Sequence, residues 1–237
     1  MIHHRFRLVA VLIAASCSLA AAPPQPAKSA KTPPHGNWNA TVTQGSDGTY
    51  TLGNPAAKVK LTEYVSYTCS HCAHFHQEAD AKLRLGYLPQ GKVSVRVAQI
   101  LRNPIDLTVA TLTNCGDPKA FFTRHNAFMA SQSRWLGKYD GFTPAQTARW
   151  TSGDVPNRLR AIASDFDFYA IMARFGYSRV QADRCLGDAA MVKRLTAQTE
   201  AASALGVDST PSFAINGQVL TDVHEWKTLA PQIDAKL

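Results

Sequence analysis

The sequence lacks several features that would place it in common classes of protein. It has no cluster of lysine and arginine interleaved with aromatic residues, although its formal net charge is +8, and this argues against nucleic-acid binding. It has no second Cys-x-x-Cys, which argues against a zinc ribbon. Charged residues are scarce at 18%, whereas 45% of the 237 residues are hydrophobic. This composition allows a real core, in one domain with an insertion or in two small domains.

The first twenty residues have the pattern of a secretory signal peptide. A basic start containing Arg5 and Arg7 precedes a short apolar run, 8–15, and then small residues. The run is shorter than the roughly 20 residues that span a bilayer, and no later stretch is long and apolar enough to do so. We therefore expect residues 1–20 to direct export to the periplasm. A buried N-terminal helix and a lipid anchor at Cys17 are the alternatives.

The rest of the sequence predicts an α/β fold with one interruption. Residues 21–45 are rich in proline and alanine and predict a flexible tether, with ordered structure beginning near Tyr50. Alternating or β-branched residues predict strands, and an Asn-Gly pair predicts a hairpin turn. The predicted strands are 58–65 and 91–100, with a hairpin at 212–220; the predicted helices are 69–88, 106–114, 118–131, 144–151, 156–175, 189–205 and 226–236. An all-helical insertion, 105–188, thus separates the two halves of a sheet, 46–104 and 189–237.

The chemistry of the sequence centres on Cys69-Ser70-His71-Cys72. This segment follows a predicted strand and opens a predicted helix. A cysteine at a helix N-terminus lies where unpaired amides and the helix dipole stabilise a thiolate, the nucleophile in disulfide exchange. Cys72 is close enough to resolve a mixed disulfide, and His71 can add positive charge or a hydrogen bond near the sulfur. The pattern predicts a redox-active cysteine pair.

A metal site is the alternative interpretation of this segment. The two cysteines, with His71, His74 and His76, could supply soft ligands for copper or zinc. On a helix, however, positions two residues apart point about 200° apart, so His74 and His76 cannot both face the thiols. We therefore favour redox chemistry, with no metal and no cofactor, over a metal-binding adaptor.

Two segments resemble the signatures of the DsbA-like thiol:disulfide oxidoreductases. Residues 63–72, EYVSYTCSHC, resemble the active-site segment of that family, and residues 206–217, GVDSTPSFAING, resemble its cis-proline loop. The resemblance covers about residues 50–237 and implies a thioredoxin-like fold with an all-helical insertion between the two halves of the sheet. It implies that Cys69 is the nucleophile and Cys72 the buried resolving thiol.

The resemblance also implies roles for three further residues. Pro211 would be cis and lie against the cysteine pair, and the Thr210 backbone would pair with an extended substrate. Glu63 matches the family's buried acid beneath the active site, where it could assist proton transfer. The alternatives are an ordinary loop break at Pro211 and an exposed strand residue at Glu63.

Two residues depart from the family pattern. Ser70 stands where proline is usual, and Thr210 stands where the strongest oxidases carry valine. Both positions tune redox potential and substrate release, so the direction of the reaction is open between oxidase and reductase or isomerase. Exported isomerases also carry threonine before the cis-proline, but they have an N-terminal dimerisation domain that a short tether cannot supply. We therefore expect a monomer.

The remaining pair, Cys115 and Cys185, lies in the predicted helical insertion. An even number of cysteines in an exported chain favours a disulfide, and we expect a structural one here. Two free buried cysteines or a relay of oxidation are the alternatives. The leading function is oxidation of partly folded or unfolded exported proteins with free thiols. The resemblance implies a membrane redox partner that reoxidises the protein.

Overall fold

The computed structural model describes residues 36–237. The predicted signal peptide, 1–20, and Cys17 lie outside the described residues, as does most of the predicted tether. No helix in the described range is both long and apolar enough to cross a membrane.

The described range contains the strands β1 (Val42–Gln44), β2 (Tyr50–Gly53), β3 (Val59–Val65), β4 (Val93–Gln99), β5 (Ser212–Ile215) and β6 (Gln218–Val219). These six strands form one sheet in the order β1-β2-β4-β3-β5-β6. The central strands β3 and β4 are parallel, and every other neighbouring pair is antiparallel. Most residues of β3 and β4 are buried on both faces, as in strands that other elements cover on both sides.

The helices follow the predicted order closely. They are α1 (Ser70–Lys82), α2 (Pro104–Thr113), α3 (Phe121–Ala130), α4 (Gln132–Leu136), α5 (Pro144–Ala148), α6 (Val155–Asp165), α7 (Phe168–Ala173), α8 (Arg179–Leu186), α9 (Ala189–Ala204) and α10 (Trp226–Asp234). Helix α1 continues as a π-helical segment, Leu83–Tyr87. Helices α2 to α9 all lie between β4 and β5. The predicted α/β fold with a helical interruption of the sheet is confirmed.

Aromatic and aliphatic side chains pack the helices onto the sheet. Phe75 of α1 contacts Phe213 of β5 with ring centroids 4.6 Å apart, which seats the N-terminal half of α1 on the central strands. Tyr50 of β2 stacks on Phe121 of α3 at 4.0 Å and joins the sheet to the helical insertion. Burial of one such side chain contributes roughly 1.5–3 kcal/mol to stability. The cysteine-bearing helix is therefore held in place by the main core.

The start of the ordered chain differs from the prediction. Part of the predicted tether, 42–44, forms strand β1, which pairs with β2, and Trp38 is buried. The indole of Trp38 lies against Gly91, where a Cβ atom would come within 2.6 Å of it. The prediction that order begins near Tyr50 is wrong, because a three-residue edge strand is too short to show an alternating pattern.

The helices also differ from the prediction in three places. The predicted helix 156–175 is two helices, α6 and α7, because Asp167 between them adopts a left-handed backbone with φ 58°. Helices α4 and α8 were not predicted. The signal for α8 was present as a capping box, in which Ser178 and Gln181 satisfy each other's backbone N–H groups.

Candidate active site

Cys69 lies at the junction between the central sheet and α1. Strand β3 ends at Val65, a three-residue loop follows, and Cys69 caps the N-terminus of α1 with an extended backbone, φ −86° and ψ 116°. Its side chain therefore lies beside the unpaired N–H groups of the first helical turn. The structure places the cysteine where the sequence predicted it.

A buried carboxylate that sequence analysis missed holds the loop before Cys69. Asp106 of α2 accepts hydrogen bonds from the hydroxyl of Ser66 at 3.0 Å and from the backbone N–H of Thr68 at 2.8 Å. It also accepts from the backbone N–H of Arg102 at 3.0 Å. Burial raises the pKa of Asp106, although these hydrogen bonds act in the opposite direction. The sequence signal was only an acid in the first turn of a predicted helix, which most often serves the helix itself.

The helical insertion holds the same loop from a second side. The side-chain amide of Gln132 donates to the carbonyl oxygens of Tyr67 and Cys69, both at 2.7 Å. The Tyr67 hydroxyl is buried and accepts a hydrogen bond from the amide of Gln99 at 2.9 Å. It also lies 2.9 Å from Nδ1 of His125 on α3. Nothing in the sequence relates these residues, which lie up to 65 positions apart.

The predicted substrate-facing loop lies directly against Cys69. The Thr210–Pro211 peptide bond is cis. The thiol of Cys69 donates to the carbonyl oxygen of Thr210, with 3.1 Å between sulfur and oxygen. Nδ1 of His224 lies 2.7 Å from the carbonyl oxygen of Pro211, so this nitrogen carries the proton and donates. The structure therefore brings together two motifs about 140 residues apart and adds His224, which the sequence analysis missed.

The surroundings of Cys69 favour its thiolate. The pKa of Cys69 is lowered from 9.0 to about 5, first because the thiol of Cys72 donates a hydrogen bond to its sulfur. The side chain of Thr210 and then the backbone N–H groups of Cys72 and His71 lower it further, against the opposing effect of burial. This is the helix N-terminal stabilisation expected from the sequence, with Cys72 as the larger contributor. A thiolate at neutral pH is a competent nucleophile and a good leaving group.

The pKa values of Cys72 and Glu63 are raised, in contrast to that of Cys69. Cys72 has no solvent-accessible surface, and burial raises its pKa, as does a charge on Cys69. Glu63 on β3 is 7% exposed, and burial raises its pKa from 4.5 to about 8. The buried position predicted for Glu63 is therefore the one observed. Near neutral pH its carboxyl is mostly protonated and can give or take a proton.

Glu63 borders a small cavity between α1, the sheet and α3. His76 and Asp80 of α1 and His125 of α3 line the same cavity of about 30 Å³. A space of this size with several polar walls can hold one water molecule. Burial lowers the pKa of His76 and lowers that of His125 well below its usual range, so both rings are neutral near pH 7. The cavity joins Glu63 to side chains nearer the surface.

The other predicted site residues lie on the outer side of α1. Ser70 and His71 are exposed, and neither side chain forms a hydrogen bond with the described residues. His71 contributes to the Cys69 site through its backbone N–H. His74 lines an outer groove, whereas His76 lines the inner cavity, so the two point apart as the helical geometry requires.

The predicted disulfide between Cys115 and Cys185 is confirmed. It links the end of α2 to α8 across 70 positions, with Cα atoms 5.6 Å apart. Cys69 and Cys72 are both free thiols in this structure. The two cysteine pairs therefore occupy separate parts of the molecule with different bonding.

The central sheet presents one cysteine at the N-terminus of a helix, with a second, buried cysteine behind it and a Thr-Pro loop opposite the first. Together these features define a redox protein of the thioredoxin class. A family model described as thioredoxin matches residues 45–235, and the chain belongs to that family. Its resemblance to the DsbA-like thiol:disulfide oxidoreductases is likewise supported by the proteins that it matches.

The similar proteins include solved structures and curated sequences. A protein-disulfide isomerase from Novosphingobium aromaticivorans is 49% identical, with a TM-score of 0.77 over 80% of this chain and 97% of that one. Wolbachia pipientis alpha-DsbA1 is 21% identical, with a TM-score of 0.62 over 78% and 88%, and shows the shared fold. A Rickettsia conorii protein, provisionally named a protein-disulfide oxidoreductase, is 28% identical over 81% of this chain. The chain spans about three fifths, 61%, of that relative's length.

Proposed function

We propose that this protein is an exported thiol:disulfide oxidoreductase that introduces disulfides into folding proteins. The observation that carries the proposal is the contrast within one pair of cysteines. Cys69 has a pKa lowered to about 5, whereas Cys72 is fully buried with a raised pKa. Stabilising the Cys69 thiolate stabilises the reduced form, and this makes the Cys69–Cys72 disulfide a stronger oxidant.

The reaction starts from the oxidised pair. A substrate thiolate attacks the sulfur of Cys69, the Cys69–Cys72 bond breaks, and the electron pair leaves on Cys72. A second thiolate of the substrate then attacks the substrate sulfur of the mixed disulfide. Cys69 departs as a thiolate, for which its lowered pKa makes it a good leaving group. The substrate has lost two electrons and the protein has gained them.

Glu63 gives this sequence a source of protons. The Cys72 thiolate that forms in the first step is buried, and its high pKa favours rapid protonation. The protonated carboxyl of Glu63 can supply that proton, directly or through water in the adjoining cavity. Glu63 is then reprotonated through the cavity side chains nearer the surface.

The cis-proline loop would orient the substrate. The carbonyl oxygen of Thr210 lies 3.1 Å from the sulfur of Cys69. A substrate strand that pairs with this loop therefore reaches the sulfur. The substrates in this proposal are unfolded or partly folded exported proteins with free thiols. A membrane redox partner reoxidises the dithiol, and the protein works as a monomer in the periplasm, delivered there by the signal peptide.

Isomerisation is the second candidate function. It is favoured by the name of the 49% identical Novosphingobium aromaticivorans structure, a protein-disulfide isomerase. Both functions use Cys69 to form mixed disulfides. They differ in whether the pair enters the reaction as a disulfide or as a dithiol.

The redox equilibrium of the Cys69–Cys72 pair against glutathione separates these functions. Mass spectrometry would assign the oxidation state of this pair and of Cys115–Cys185 separately. A potential of about −120 mV, clearly more oxidising than the roughly −180 mV of protein disulfide isomerase, supports the oxidase. A lower potential, with rearrangement of scrambled disulfides by the reduced protein, supports the isomerase. The absence of reversible exchange at Cys69 would overturn both proposals.

A further inference from the structure

A groove lies beside the reactive cysteine on the outer side of α1. Its volume is about 490 Å³, and its walls come from α1, the cis-proline loop and the segment that leads into α10. Thr210 and Pro211 line it, and the Thr210 carbonyl lies 3.1 Å from the sulfur of Cys69. A polypeptide that reacts at Cys69 and pairs with this loop can therefore continue along the groove.

Apart from three histidines, His71, His74 and His224, the ionisable side chains that line this groove are all acidic. They belong to Glu78 on α1 and to Asp222 and Glu225 before α10, and the lining contains no lysine or arginine. Glu78 pairs with Lys82 at 3.3 Å, whereas Asp222 and Glu225 form no ion pair with the described residues. Two carboxylates are therefore available to an incoming chain.

This local charge is the reverse of the charge of the surrounding protein. The described range holds 21 of the 25 basic residues, because four precede it, against all 17 acidic ones. The groove is thus a negative surface on a domain with a net charge of +4. Such an arrangement attracts cationic segments to the reactive sulfur rather than to the molecule as a whole.

One further contact fixes the backbone of the acidic segment. The hydrogen bond of 2.7 Å from His224 to the Pro211 carbonyl ties this segment to the cis-proline loop. The same loop contacts Cys69 through the Thr210 carbonyl. The segment that bears Asp222 and Glu225 is therefore anchored beside the loop that faces the reactive sulfur.

We propose that this groove makes the protein select substrate segments that carry lysine or arginine beside the reacting cysteine. The inference rests on the proposed function, since it names the class of substrate for the same site. Asp222 and Glu225 are the specificity-determining residues, and the His224 hydrogen bond positions the segment that bears them.

The test compares three dithiol peptides that are identical except for lysine, glutamine or glutamate beside the first cysteine. Oxidation of each by the full-length disulfide form is followed by mass spectrometry. The lysine peptide is expected to have a kcat/KM at least about fivefold above that of the glutamate peptide at low salt. In 1 M NaCl, where the Debye length is about 3 Å, the ratio should fall below about twofold.

The variant D222N/E225Q removes the two unpaired charges with little risk to the fold. Asp222 has a left-handed backbone, φ 56°, which asparagine also tolerates. Glu225 caps α10 without a side-chain hydrogen bond. The variant should lose most of the preference for lysine. The control D140N/E200Q removes two exposed carboxylates outside the groove and should keep the preference.

The outcomes separate this inference from the proposed function. Equal rates for all three peptides, or equal loss of preference in D140N/E200Q, would overturn the inference alone. If no peptide is oxidised, the proposed function fails. The groove is then tested by fluorescence anisotropy with fluorescent peptides in which serine replaces both cysteines. The inference is supported if the lysine peptide binds D222N/E225Q more weakly than D140N/E200Q at low salt. Equal binding to the two variants overturns it.

Discussion

The two cysteine pairs of this protein show how position alone determines the chemistry of a thiol. Cys69 and Cys72 are three residues apart at a helix N-terminus beside a groove. Cys115 and Cys185 are 70 residues apart and join two helices of the insertion in a disulfide. The first pair has one thiol with a lowered pKa and one with a raised pKa, so it is suited to exchange. The second pair closes a long loop, so it is suited to stabilising the fold.

The largest expected effect is the loss of exchange when Cys69 is replaced. C69S should reduce the oxidation of a dithiol peptide by more than about 1,000-fold, because no nucleophile in the described site replaces that sulfur. C72S, mixed with a peptide disulfide rather than a dithiol, should instead accumulate a mixed disulfide, because Cys69 attacks the peptide disulfide and the resolving thiol is missing. Mass spectrometry of the trapped product measures both. Exchange by C69S at a rate near that of the unmodified protein would refute the roles assigned to this pair.

Replacing both Cys115 and Cys185 should lower the stability of the fold but leave disulfide exchange at Cys69 intact. C115S/C185S should lower the free energy of unfolding by up to about 4.4 kcal/mol, the chain-entropy value for a loop of this length. Urea unfolding followed by circular dichroism measures the change. The initial rate of peptide oxidation below the transition should remain within about twofold. A rate loss as large as that of C69S would mean that the two pairs share one function.

The raised pKa of Glu63 leads us to expect that stability depends on pH. Its folded pKa of about 8 lies above the ordinary value of 4.5, so the folded state holds a proton that the unfolded state has lost between these values. Stability should therefore fall as pH rises through this window, by up to about 1.4 kcal/mol per pH unit from this group. Urea unfolding from pH 5 to pH 8 should show this fall in stability for the unmodified protein. The fall should be smaller for E63Q. Parallel slopes in the two proteins would contradict the raised pKa.

The same substitution tests the proton role of Glu63. E63Q cannot supply a proton to the Cys72 thiolate, so the rate of mixed-disulfide formation should fall near neutral pH and depend less on pH. Stopped-flow mixing with a thiol peptide measures that rate. The exposed acid Glu200 is the control, since E200Q should leave both the rate and its pH profile unchanged.

The smallest effect is expected at the loop that presents Cys69. D106N weakens the set of hydrogen bonds to Ser66, Thr68 and Arg102 and should cost about 1–3 kcal/mol of unfolding free energy. The loss of unfolding free energy, measured separately in urea, should differ between the reduced and oxidised forms, because this loop adjoins the reactive pair. D140N, which changes an exposed acid, should lie within about 0.5 kcal/mol of the unmodified protein.

Local patterns predicted most of the fold. The two central strands and the final hairpin lie within a few residues of their predicted positions, because alternation and the turn pair at Asn216 are local signals. Strand β1 was missed because three residues carry too little pattern. Helices α4 and α8 were both missed, α8 although its capping box was visible. The break at Asp167 depends on a backbone conformation that the apolar spacing does not reveal.

The sequence by itself determined which residues could do chemistry here. A Cys-x-x-Cys between a strand and a helix, together with a distant Thr-Pro, is enough to indicate a redox pair and its facing loop, because helix-terminal electrostatics are local. Only the tertiary structure decided how the pair is surrounded. Asp106, Gln132 and His224 reach the site through contacts between elements distant in sequence. Burial, which raises the pKa values of Cys72 and Glu63, exists only once the whole core is assembled.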